Sequence, residues 1–378
     1  MRSVGVEEEL LLADADTGEP LAVASVLLAA ADRAAGGQAA GGPSSGPRRA
    51  GHALESELKQ EQVEFATRPV TEMGELQEEI VRWRAEAARN AATAGAVVAA
   101  LATSPLPVRP SMSPGRRYEW VARQFGLTAQ EQLTCGCHVH VSVESDEEGV
   151  AVLDRIRPWL AVLTALSANS PFWQGEDTAY ASYRSRVWNR LPSAGPTDVF
   201  GSADAYHAEV GAMIESGVLR DKGMIYFDAR LSATYPTVEV RVADVCLDAS
   251  TPVLLAALVR ALVETAARSW RAGEPPTGIS TGLLRLANWQ AARSGLDGPV
   301  LNPESMMRTS SAAALAVLCR HVGPALADAG DEELVRAGTT RLLEHGNGAR
   351  VQRELLRSTG SLGAVVRECA RITTGGTG

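Results

Sequence analysis

The heptapeptide at 238–244, Val-Glu-Val-Arg-Val-Ala-Asp, constrains this chain more than any other stretch. Valines at 238, 240 and 242 alternate with Glu239 and Arg241. A period of two is the signature of a strand buried on one face. The other face then carries an anion and a cation two residues apart. One arrangement is a salt bridge on a solvated sheet. The other is the floor of an active site, with the carboxylate on a metal ion and the guanidinium on a phosphate. The seven residues alone leave both open.

Other segments repeat the theme. Residues 4–12 read Val-Gly-Val-Glu-Glu-Glu-Leu-Leu-Leu, a short strand that sends Glu7 and Glu9 to one face and Glu8 to the other. Like charges on a half-buried face repel and resist desolvation. A divalent cation removes that penalty, and so does a solvated strand end. At 62–67, Val63, Phe65 and Thr67 alternate with Gln62, Glu64 and Ala66, which predicts a second strand with Glu64 on its less apolar face. Residues 134–143 hold Cys135, Cys137, His138 and His140. On a strand the histidines share one face and the cysteines the opposite one, so a single tetrahedral zinc could not collect all four. The two histidines need polar partners, and the glutamates are candidates.

Between these strands the pattern is helical. Leu76, Ile80, Trp83, Ala87, Ala91, Ala94, Val98 and Leu101 recur at spacings of three and four, predicting a helix over 71–101. Further helices are expected over 21–34, 116–125, 149–168, 203–216, 252–272 and 283–294. From 310 to 372 helices follow one another, broken near Gly323, Gly330 and Gly346. Residues 225–231 read as a strand with Asp228 and Arg230 on one face. The segment 169–188 mixes Asn, Ser and Tyr with Arg184 and Arg186, which suits either a solvated turn or a substrate wall. The whole reads as one domain, 1–374, with a helical C-terminal part at 310–373. It carries a mobile Gly/Pro-rich loop at 36–51 and a disordered tail at 375–378.

Composition narrows the function. Hydrophobic residues at 45 % and charged residues at 21 % are ordinary for a globular protein. A net charge of −9 lacks the basic footprint of a nucleic-acid binder. No apolar run approaches the length of a membrane span. Five cysteines, an odd number, and no apolar leader after Met1 point to reduced thiols and a cytoplasmic location. Apolar helices leave faces for a homodimer. No phosphate-binding Gly-x-x-x-x-Gly-Lys loop is present. If ATP is used, metals and arginines must hold its phosphates. Glu7, Glu9, Glu64, His138 and Glu239 are ligands that Mg²⁺ or Mn²⁺ accepts, and Arg230 and Arg241 add cations beside them.

The ordered set of segments is similar to one known family. The pieces are Gly5-Val-Glu-Glu-Glu9, Glu57 with Gln62-Val-Glu64, Gly136-Cys-His-Val-His140, Ser170-Pro-Phe-Trp through Trp188, Thr237-Val-Glu-Val-Arg-Val-Ala-Asp244, and Asn288-Trp-Gln-Ala-Ala-Arg-Ser-Gly295. They resemble the glutamate–cysteine ligase type 2 family of YbdK-like carboxylate–amine ligases. The resemblance implies an α+β, glutamine synthetase-like catalytic domain: a curved, mainly antiparallel sheet forming a funnel wrapped by helices. ATP and Mg²⁺ (or Mn²⁺) would sit in it. Glu7, Glu9, Glu57, Glu64, His138 and Glu239 match metal positions. Arg241 matches the cation at the γ-phosphate and forms the catalytic pair with Glu239. Arg230 would meet phosphate or substrate, and Arg184, Arg186 and Tyr180 would meet substrate.

The implied reaction joins a small carboxylate, glutamate or an analogue, to an amine or amino acid. It runs through an acyl phosphate and releases ADP and phosphate. Three departures bear on substrate identity: the long loop at 36–51, Phe227 where a Trp is expected, and Cys135 with Cys137. The rival readings are a phosphotransferase acting on a guanidino nitrogen, a non-catalytic nucleotide- or metal-binding protein, and, more distantly, a zinc hydrolase.

Overall fold

The computed structural model describes residues 1–34 and 54–376, so the loop expected at 36–51 lies outside the described residues. Among the described residues eleven strands occur in chain order: β1 (Val4–Asp14), β2 (Leu54–Ser56), β3 (Gln62–Ala66), β4 (Ala96–Ala99), β5 (Gly136–Ser142), β6 (Phe172–Trp173), β7 (Glu176–Asp177), β8 (Ala229–Leu231), β9 (Thr237–Asp244), β10 (Pro299–Leu301) and β11 (Arg308–Ser310). Seven of them form one sheet in the order β2-β3-β1-β5-β9-β8, with β4 on β1. Its pairs are all antiparallel. The sheet does not close. β6–β7 and β10–β11 are separate hairpins.

β1 is central because its neighbours change along its length. Residues 4–8 pair with β5, residues 7–11 with β3, and residues 11–14 with β4. Glu7 and Glu8 therefore sit where the strand is flanked on both sides, and Glu9 follows directly. Directly opposite residues on an antiparallel pair share a face. Glu7 lies opposite His138 and Ala66, Glu9 opposite Glu64, and His140 opposite Glu239. The alternation read from sequence thus places Glu7, Glu9, Glu64, His138, His140 and Glu239 on one face.

The other face is the core side. Val6, Leu10 and Leu12 are buried there. The helix Met73–Ala92 lays Leu76, Ile80 and Trp83 into the interior, and Trp83 stacks on Phe65 with ring centroids 6.2 Å apart. The helix Ser250–Arg271 is apolar on nearly every side and is buried from Thr251 to Val263. It and Ser311–Ala329 are long and apolar enough to cross a membrane by length and composition, although neither is an uninterrupted apolar run. Most of the first is enclosed by protein. Deep behind the sheet Arg84 donates to both oxygens of Glu8, at 2.8 Å each, and to the carbonyls of Cys246 and Leu247. A buried guanidinium needs such a full set of acceptors.

Several boundaries differ from the sequence expectation, each for a physical reason. The helix predicted over 71–101 stops at Ala92; Gly95 turns the chain at φ 69° and residues 96–99 become β4. An alanine/valine run can serve either period, and pairing with Leu11–Asp14 decided it. The helix predicted over 149–168 starts at Asp146, capped by the Ser145 hydroxyl, and is interrupted by a short turn at Arg157–Trp159. Pro158 supplies no N–H there. The strand predicted over 225–231 shrinks to Ala229–Leu231, so Asp228 precedes it and bonds Asn288 while Arg230 bonds Glu239. Gly323 lies inside the helix Ser311–Ala329, and the later breaks fall at Gly330, Gly346 and Gly360. The tail is still tied at Gly375 and Gly376 by backbone bonds to Ile372 and Arg371. Residues 377–378 lie outside the described residues.

One irregularity matters for the site. Between β5 and β9 the register passes from Val139 opposite Val240 to Cys137 opposite Ala243. Two residues of β9, Arg241 and Val242, therefore stand against His138 alone. This bulge breaks the alternation expected over 238–244. Upstream of it Glu239 is on the open face; downstream the phase is inverted, and Asp244 stands opposite Gly136. Bulges re-aim side chains in this way and are common beside active sites.

Candidate active site

The open face of the sheet forms the floor of a cavity lined by Glu7, Glu9, Glu57, Glu64, His138, Arg230 and Arg241. Its walls come from elsewhere in the chain: Arg117, Tyr118 and Val121 from the helix Arg116–Phe125, Gln132 and Thr134 ahead of β5, Trp188, and Tyr226.

The cavity concentrates acid. One ligand atom from each of Glu7, His138 and Glu239 lies within 4.8 Å of the others, and the same holds for Glu9, Glu64 and His138. His138 belongs to both groups. Burial, then the charges of Glu57, Glu7 and Glu9, push Glu64 well above the usual carboxylate range. Burial and the Glu57 charge raise Glu9 to about 7, against the pull of Arg184 and of the Gly136 N–H, which donates to Glu9 at 2.7 Å. Among the described residues, too few protein cations face these carboxylates to satisfy them.

The donor set fits a hard divalent ion. Carboxylate oxygens with one imidazole suit Mg²⁺ or Mn²⁺. Burial and the Arg241 charge hold His138 down to about 4, so its ring is neutral. Its Nδ1 lies 3.3 Å from Glu7, while its buried Nε2 has no hydrogen-bond partner among the described residues. With Nδ1–H donating to Glu7, Nε2 keeps a lone pair for a metal.

The opposite end of the floor concentrates positive charge. Glu239 is held between Arg230, at 2.8 Å, and Arg241. Burial opposes the Glu239 charge, but the two guanidiniums outweigh it and hold the carboxyl far below its usual range. The pair is thus no surface salt bridge: Glu239 and Arg241 are 2 % and 7 % exposed. A Glu239 oxygen also lies within 4.8 Å of ligand atoms of Glu7 and His138, so one carboxylate borders both the acidic and the basic halves of the floor.

Arg184, Arg186 and Tyr180 occupy different places. Arg184 is buried beside Glu9 and His138, bordering a small adjoining cavity with Trp188, Asp228, Arg241 and Asn288. A Cβ on Gly136 would come within 2.3 Å of the Arg184 guanidinium, so a larger residue here would displace that cation. Asp244, carried by the bulge to the face of Gly136, accepts from Asn169, Ser170 and Ser182 and so fixes the polar segment that carries Arg184. Arg186 and Tyr180 are not among the residues lining the carboxylate cavity. Tyr180 packs on Tyr183 and Trp289 and accepts from the Trp289 indole at 3.2 Å. Arg117, Tyr118, Gln132 and Tyr226 went unremarked in the sequence. The helix carrying the first two shows only an ordinary amphipathic pattern, which holds no signal that could have found them.

The model of glutamate–cysteine ligase family 2 matches residues 3–370. The chain belongs to this family. A Streptomyces avermitilis protein named "Putative glutamate--cysteine ligase 2-1" is 60 % identical over 375 residues, covering 99 % of this chain and 100 % of that one. A Streptomyces coelicolor protein named "Putative glutamate--cysteine ligase 2" is 59 % identical over 373 residues, covering 99 % of each. Among solved structures, a Francisella tularensis glutamate–cysteine ligase in complex with AMP superimposes with a TM-score of 0.71 at 13 % identity, over 99 % of this chain and 88 % of that one. A bifunctional glutathione synthetase from Pasteurella multocida gives 0.66 at 14 % identity, over 99 % of this chain and 52 % of that one. These two establish the fold of this glutamate–cysteine ligase family member. The family makes it an ATP-dependent carboxylate–amine ligase.

Proposed function

We propose that the protein activates a glutamate-like carboxylate with ATP and joins it to an amine, using Mg²⁺ or Mn²⁺. The observation that carries this reading is the division of one sheet face into an uncompensated carboxylate–imidazole group and a guanidinium pair, bridged by Glu239. Glu7, Glu9, Glu57, Glu64, His138 and Glu239 would hold the metal ions. When bound, these ions neutralise the triphosphate oxygens and leave the γ-phosphorus open to attack.

A free carboxylate is a poor electrophile at neutral pH, which is why the reaction needs ATP. A carboxylate oxygen of the acid attacks the γ-phosphorus. The bond to the ADP oxygen breaks and an acyl phosphate forms. The amine nitrogen then attacks the acyl carbon, the carbon–oxygen bond to phosphate breaks, and the amine proton leaves with phosphate. Arg241, oriented by Glu239, meets the charge that develops on the transferring phosphoryl group. Arg230, fixed by Glu239 and by the Ile225 carbonyl at 2.7 Å, supports the same region. Arg184 adds positive charge beside Glu9, against the Gly136 end of β5. No protein nucleophile is required. This agrees with burial pushing the Cys135, Cys137 and Cys246 thiols well up, away from the reactive thiolate.

The test uses purified protein, ATP and Mg²⁺ with a panel of acids and amines. ADP release is followed together with mass spectrometry for an amide formed with loss of water. Acid-dependent ADP release with an amide product supports the reading. A phosphorylated product that needs no amine would make the protein a phosphotransferase. Tight nucleotide binding without turnover would make it a non-catalytic binder.

A further inference from the structure

The segment Asn288–Gly295 has no part in the mechanism above, and neither has the small cavity beside Arg184. The two meet at Asp228. Asn288, on the helix Thr281–Ser294, donates from Nδ2 to an Asp228 oxygen at 2.5 Å. Both residues line the cavity, together with Arg184, Trp188 and Arg241. Its volume is about 20 Å³, room for about one water molecule and for neither substrate.

The main chain of Asp228 is clamped on both sides. Its N–H donates to the Gly195 carbonyl at 3.0 Å, and its carbonyl accepts from the Arg241 N–H at 2.9 Å. Arg241 is the first of the two bulge residues that stand against His138. A bulge interrupts the ladder on its own side. Asp228 therefore supports the Arg241 main chain from the side where pairing continues, since Ala229 next to it lies opposite Val240.

The side chain faces the arginines. Arg184 is 2 % exposed, yet among the described residues it forms no ion pair. It has a long bond of 3.5 Å to the Arg241 carbonyl, and its guanidinium lies 5.5 Å from the Trp188 ring. The Arg241 guanidinium lies over the same ring at the same distance. The buried Nε of each arginine has no hydrogen-bond partner among the described residues. A buried guanidinium in this state depends on neighbouring charge. For Arg184 that charge comes from Glu9, Asp228 and Asp244. Burial pushes Asp228 up to about 6, while the Asn288 donor and the charges of Arg285 and Arg184 pull it back. We infer, on the ligase reading above, that Asp228 held by Asn288 is a positioning residue for the phosphoryl-transfer step: its carboxylate fixes the Arg184 guanidinium across the small cavity, and its main chain fixes Arg241 at the bulge. Neither Asp228 nor Asn288 touches substrate.

Two variants test this. Asp228→Asn keeps the shape and removes the charge. Asn288→Ala keeps the charge and removes the donor. ADP release is measured in steady state with the acid and amine that the unaltered protein couples, at pH about 6 and about 8. Tm is measured under the same conditions. Asp228→Asn should lower kcat about tenfold or more at the higher pH and leave the KM of ATP within about threefold, since a small misplacement of a catalytic group costs the transition state more than the ground state. In Asn288→Ala the carboxylate loses the donor that favours its charged form, so it titrates at higher pH. A rise of about one pKa unit should lower kcat about fivefold at the lower pH and less than about twofold at the higher, relative to the unaltered protein. A purely structural role would lower Tm and activity together at both pH values, with no such recovery, and that outcome overturns the inference. So does an unchanged kcat in Asp228→Asn, or an effect confined to KM. In each of these cases turnover by the unaltered protein leaves the ligase reading intact. If the unaltered protein releases no ADP with any acid, the ligase reading falls and the positioning role falls with it.

Discussion

Three consecutive glutamates in β1 meet opposite fates. Glu8 points into the core, fully buried, and finds Arg84 with both guanidinium edges in place. Glu7 and Glu9 point to the open face, where their neighbours are Glu57, Glu64, Glu239 and two histidines. One carboxylate has its counter-charge built into the chain. The others are gathered without enough of it. A buried charge with its partner supplied is structural; a buried cluster lacking one implies a cation from outside. The difference lies in the partners and not in the residue type.

The largest expected effect breaks the back face. Glu8→Ala leaves Arg84 as an unpaired buried cation and should destabilise the fold by about 3–5 kcal/mol, read from urea unfolding. A loss of under about 1 kcal/mol would mean the two faces are not so different. Next in size is the basic half of the front. Arg241→Ala should lower amide formation about 10²–10³-fold, as removal of one preorganised donor does elsewhere. Activity near that of the unaltered protein would take Arg241 out of the chemistry.

The acidic half responds to metal. Mg²⁺ at about 100 times its Kd should stabilise the protein by about 2.7 kcal/mol, seen as a rise in Tm that EDTA reverses. Glu9→Gln should shrink that rise. An unchanged rise in this variant would place the metal elsewhere. The smallest effect is expected at Arg186, which does not line the cavity. Arg186→Ala should change both stability and the catalytic barrier by less than about 0.5 kcal/mol, measured by unfolding and by ADP release. A larger loss would restore it to the substrate wall that the sequence suggested.

Much of the floor was legible because alternation and register are local properties. Once 4–12, 62–67, 134–143 and 238–244 are strands, the face carrying Glu7, Glu9, Glu64, His138 and Glu239 follows from the period of two. Those assignments survive in the structure down to the opposite pairs. The walls were not legible. Arg117 and Tyr118 lie on a helix that looks like any surface helix, and Tyr226 precedes a strand that proved shorter than predicted. Which helix faces the sheet depends on contacts between distant segments.

The sequence by itself determined that acidic and basic residues alternate with valines and leucines along several strands, and its ordered motifs identified the family. Tertiary structure decided what each charge means. Side-chain period says which residues share a face but not what stands opposite them. Only packing brought Arg84 to Glu8, set Glu239 between two arginines and the Glu7–His138 group, and inverted β9 at its bulge so that Asp244 shares the face of Gly136. The heptapeptide at 238–244 turned out to hold both arrangements that its sequence allowed. Glu239 and Arg241 are an ion pair, and they are also part of the floor, because burial makes each depend on partners that other segments supply.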